Sequence, residues 1–96
     1  MNATPSFYII AYDLNKPGQD YDRMEEKISQ LEETCKILDT TWIVKTNLTT
    51  KEIKKHLLGA YDANDKIFIA RIDLPLSAWH LDPEDSRWIK AQINAI

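Results

Sequence analysis

Apolar runs alternate with amphipathic stretches along this chain, and their periods define the elements. Read at period two, Phe7, Ile9 and Ala11 point one way, and Tyr8, Ile10 and Tyr12 the other. Both sets are apolar or aromatic, which predicts a central strand over residues 6–12, buried on both sides and ending at Asp13. After the Pro17-Gly18 turn, Tyr21, Met24, Ile28, Leu31 and Cys35 recur at steps of three and four, the stripe of a helix lying on a sheet. Residues 36–46 are rich in β-branched and aromatic types and hold no Gly or Pro. That stretch is too long for one ordinary strand, so two strands joined by a bend near Asp39-Thr40 are expected.

A capping-box pattern, Thr49 followed by Glu52, opens a second helix with Ile53, Leu57 and Tyr61 as its buried stripe. It is expected to stop at Gly59 or shortly after, with a turn at Asp62-Ala63-Asn64-Asp65. Lys66 to Ile72 reads as the last main strand. Beyond a Pro-broken connector, Asp82 at the N-cap and Pro83 at the first helical position start a final helix. Its stripe is Ile89, Ile93 and Ile96, flanked by Trp88.

The order β-α-β-β-α-β predicts an α+β fold, the ferredoxin-like sandwich, with an added C-terminal helix. One domain is expected over residues 1–96, with residues 74–96 as its C-terminal extension. In that architecture both crossover helices cover one sheet face, and the other face should read polar. Here it reads apolar, so either the C-terminal segment with Trp79 and Trp88 or a second subunit is expected to cover it. A homodimer follows as an expectation, with Tyr8, Ile10, Trp42, Phe68, Trp79 and Trp88 as core or dimer residues.

A hydrophobic share of 44% beside 28% charged residues is ordinary for a globular protein. The lone Cys35 excludes an internal disulfide framework and a multi-cysteine zinc site. No apolar run approaches the ~20 residues that span a bilayer, and the N-terminal residues lack the features of a signal peptide. A cytoplasmic protein without membrane association is the expectation. The net charge of −3 opposes bulk attraction to nucleic acid. Its distribution is uneven: acids crowd residues 20–33, whereas Lys51, Lys54, Lys55 and His56 make the second helix basic. That basic run reads as a solvated helix face or as a phosphate-binding patch.

The segments 8–21 (YIIAYDLNKPGQDY) and 38–46 (LDTTWIVKT), with Ser77-Ala78-Trp79-His80-Leu81 and Trp88-Ile89-Lys90, resemble the SinR family of small bacterial proteins. That family is similar to the CRISPR-associated adaptation proteins and to VapD-type toxins, dimeric ferredoxin-like proteins whose first strand ends in Tyr-Asp or a close variant. The resemblance implies that Asp13 lies near a dimer axis, with a divalent-metal role in an endonuclease, or that the protein is a structural DNA-binding dimer. It also implies a defence or toxin–antitoxin setting.

Two Asp13 carboxylates across a two-fold axis would offer the oxygen ligands that Mg²⁺ or Mn²⁺ prefers, making Asp13 the candidate catalytic and metal residue. Asn15 would add an oxygen ligand or orient phosphate, Lys16 would neutralise it, and Tyr12 would donate a hydrogen bond or stack on a base. The structural alternative is that Asp13 caps the following turn and Tyr12 packs in a dimer core. Three functions follow. One is a non-catalytic homodimer binding nucleic acid through Lys51, Lys54 and Lys55, or binding a protein partner. The second is a metal-dependent endonuclease acting on RNA or DNA. The third is a regulatory interaction module with no nucleic-acid affinity.

Overall fold

The structure is a computed structural model describing residues 5–14, 19–73 and 80–94. The elements are β1 (Ser6–Asp13), α1 (Gln19–Ser29), β2 (Glu33–Leu38), β3 (Thr41–Thr46), α2 (Thr50–His56), β4 (Lys66–Ile72) and α3 (Pro83–Asn94). The strands form a four-stranded antiparallel sheet in the order β2-β3-β1-β4, giving a mixed α+β protein. β1 is central, as its two-sided apolar pattern requires: Ile10 stands opposite Trp42 of β3 and Ile69 of β4.

Alternation along the strands sorts the side chains onto two faces. Tyr8, Ile10 and Tyr12 of β1 and Trp42 and Val44 of β3 pack with Met24 and Ile28 of α1 and with Ile53 of α2. Both crossover helices therefore cover the same face. Phe7 and Ile43 pack on the opposite face with Ile89 of α3, joined by Ile37, Ile72, Leu81 and Trp88. The C-terminal helix thus covers part of the second face. It leaves Phe68 61% and Leu38 58% exposed.

Local hydrogen bonds fasten these layers. The Tyr21 hydroxyl accepts from the Leu14 N–H at 3.1 Å and lies 3.2 Å from the Leu14 carbonyl, tying the end of β1 to α1. His56 Nε2 sits 2.8 Å from the Lys27 carbonyl, linking α2 to α1. Thr49 and Glu52 form the expected capping box, each side chain accepting from the other's backbone N–H at 3.1 and 3.0 Å.

Two boundaries differ from the sequence reading. The stripe ascribed to the first helix ran to Cys35, but α1 ends at Ser29 and Leu31 closes the following turn on the Ile28 carbonyl. Cys35 lies in β2, opposite Ile43, on the face that α3 covers. Its spacing from Leu31 is helical only by coincidence, because the β-branched Thr34 and Ile37 draw the segment into the sheet. Likewise α2 stops at His56, short of Gly59, which takes the left-handed φ of +93°. Tyr61 consequently lies in the loop after the helix rather than on its stripe.

Candidate nucleic-acid interface

Asp13 ends β1 exposed, opposite Lys66 of β4 in the strand register. With Ala11, Lys66 and Phe68 it borders a shallow cleft of about 280 Å³. By strand alternation Asp13 belongs with Phe7, Ile9 and Ala11 to the face bearing Phe68. Within one chain this is a poor divalent-cation site, since a single carboxylate faces an ammonium across the ladder. No group of three or more His, Cys, Asp or Glu side chains suited to a metal ion occurs among the described residues. Any cation held there would need the second carboxylate of another copy.

Tyr12, read as a stacking or donor residue, is buried in the main core. Its hydroxyl accepts a hydrogen bond from Trp42 Nε1 at 3.2 Å, and its ring lies 5.9 Å from that of Tyr21. A base cannot stack on a ring so enclosed, so Tyr12 acts as a packing residue here. Burial raises its hydroxyl pKa above the ordinary value, an effect the Trp42 hydrogen bond partly opposes. Asn15 and Lys16 lie outside the described residues, as does Trp79.

The basic residues of α2 are presented outward. Lys51, Lys54 and Lys55 are all exposed, and the helix's acid, Glu52, has its carboxylate engaged at the N-cap. α2 packs on the face opposite Phe68 and Asp13, so the two surfaces do not compete. By contrast, Lys36 is drawn to Glu25 of α1 at 2.9 Å, and that hydrogen bond raises its pKa. Lys45 reaches Gln92 of α3 at 3.4 Å and lies over the Phe7 ring, 5.6 Å from its centre.

A second cleft, about 400 Å³, opens between α2 and the edge strand β4. Lys51 and Lys54 line one side, Tyr61 and Asp62 the other, and Ile67 and Ile69 the floor. The hydroxyl oxygen of Tyr61 is buried and has no hydrogen-bond partner. Sequence periodicity gave no sign of this cleft, because it placed Tyr61 within the helix stripe. The signal it did hold was Thr49 and Glu52, which start α2 beside the Asp62–Asp65 turn.

Of the expected core or dimer residues, Tyr8, Ile10 and Trp42 lie in the core beneath α1 and α2, and Trp88 packs partly buried near Ile89. Phe68 alone of those described is exposed to solvent. Among the described residues no helix is long and apolar enough to cross a membrane. No protein-family model matches the chain.

Proposed function

We propose that this protein is a ferredoxin-like homodimer that binds nucleic acid through the basic face of α2, in a defence or toxin–antitoxin setting. The observation carrying this reading is the placement of Lys51, Lys54 and Lys55, exposed on a helix whose acid is engaged at its own cap. Three ammonium groups on two turns give a local positive surface on a chain of net charge −3. The strand order and the shared face of α1 and α2 support the ferredoxin-like assignment. In this reading the second copy docks on the open sheet face around Phe68, and the exposed aromatic ring beside Ala11 and Ala70 supports association there. Association there leaves both α2 helices facing outward.

Fluorescence anisotropy with labelled single-stranded RNA and DNA at low salt tests this reading. Binding should weaken steeply as salt rises and vanish in the Lys51→Glu/Lys54→Glu/Lys55→Glu variant. Affinity untouched by that variant refutes the α2 interface, and no binding even at low salt favours the regulatory interaction module instead.

Metal-dependent cleavage by paired Asp13 is the second reading. One observation favours it: Asp13 shares its sheet face with Phe68, so a dimer through that face draws two Asp13 carboxylates toward its axis. Lys66 opposite Asp13 weighs against it. The non-catalytic dimer is therefore the reading adopted.

A further inference from the structure

The geometry points to the cleft between α2 and β4 as a binding site for a nucleoside monophosphate, free or as one unpaired nucleotide of a strand. This rests on the reading of the α2 lysines as phosphate-binding groups and adds what the rest of the ligand would meet. Lys51 and Lys54 are one helical turn apart and line the same wall, so their ammonium groups suit a single phosphate. Ile67 and Ile69 on the floor offer a flat base an apolar surface. They are partly buried against the main core, which keeps that surface fixed.

The far wall carries the polar complement. Asp62 Oδ1 accepts from the Asn64 N–H at 2.8 Å, which orients the carboxylate while leaving further lone pairs. Such an acceptor suits the N–H donors of a base. The cleft volume, about 400 Å³, falls in the range of small-ligand pockets and exceeds what a bare anion needs.

Backbone NMR shifts of the full chain, titrated with 5′-GMP, guanosine, inorganic phosphate and a short single-stranded oligonucleotide, test the assignment. With 5′-GMP, saturable shifts should centre on residues 50–54 and 61–69, and Asp62→Ala should weaken the affinity several-fold. Guanosine and phosphate alone should each bind more than about tenfold more weakly. Lys51→Glu/Lys54→Glu should abolish the shifts while the remaining resonances show an intact fold. The assignment is overturned if 5′-GMP gives no saturable shifts there, if phosphate matches it, or if Asp62→Ala changes nothing. An oligonucleotide that binds through α2 while 5′-GMP does not overturns the nucleotide cleft and leaves the α2 reading standing. Shifts with neither ligand remove both. Binding of 5′-GMP together with the oligonucleotide, on the same residues, identifies a strand nucleotide as the occupant; binding of 5′-GMP alone identifies the free nucleotide.

Discussion

The indole N–H of Trp42 donates to the hydroxyl of Tyr12 at 3.2 Å, inside the core that β1 and β3 share with the two crossover helices. Each group thereby satisfies a polar atom that burial would otherwise penalise. Tyr12→Phe removes the acceptor and leaves the indole N–H buried without a partner. It should destabilise the protein by about 1–3 kcal/mol in urea denaturation. Nucleic-acid affinity at low salt should not change, as expected of a packing residue.

The cap of α2 governs how the lysines are presented. Thr49→Ala removes the hydroxyl that accepts from the Glu52 N–H. A loss of about 1 kcal/mol is expected, read from the shift in denaturation midpoint. Because α2 has seven residues, fraying of its first turn should also lower oligonucleotide affinity. Thr49→Ser should restore both properties.

Cys35 joins β2 to α3 through a 3.3 Å hydrogen bond from Sγ to Asp85 Oδ1. Burial foremost, then the bond to Asp85 and its charge, pushes the thiol from an ordinary 9.0 up to about 12. The native protein should therefore resist thiol reagents at neutral pH and react only when unfolded. The folded state holds its proton longer than the unfolded state does. This contribution to stability is fully present below pH 9.0 and is lost as pH rises toward about 12. The alkaline fall in thermal stability should accordingly be shallower in Cys35→Ala than in the wild type.

Asp13 decides between binding and cleavage. Under the adopted reading, incubation of RNA or DNA with Mg²⁺ or Mn²⁺ yields no cleavage that Asp13→Ala abolishes, and Asp13→Ala binds oligonucleotide as the wild type does. Metal-dependent cleavage lost in that variant would establish the endonuclease and restore Asp13 as its metal ligand.

Much of the sheet was legible because its strands carry unbroken apolar periodicity. Phe7 to Tyr12 announced a central strand, and Thr49 with Glu52 fixed the start of α2. Cys35 was misread because positions 31 and 35 satisfy a helical step whether or not a helix is present. Tyr12 stayed open between packing and stacking, because an aromatic residue before a strand-end acid looks the same in sequence whether its ring is packed or presented. Its hydrogen bond to Trp42 links residues thirty apart. The α2–β4 cleft was invisible for a related reason: it depends on Tyr61 leaving the helix and on two β4 isoleucines meeting α2 across the sheet. The apolar second face was read correctly, and its partial cover by α3 explains part of that pattern.

What α3 leaves open bears on the dimer. Phe68 stands opposite Ala11 in the β1–β4 ladder and exposes 61% of its surface. Light scattering coupled to size-exclusion chromatography, on the wild type and on Phe68→Glu, tests the proposed assembly most directly. A dimer through this face predicts a wild-type mass of twice the 11.2 kDa chain and a folded Phe68→Glu variant at 11.2 kDa. A wild-type mass of 11.2 kDa at working concentrations, or a Phe68→Glu variant that stays dimeric, would contradict it.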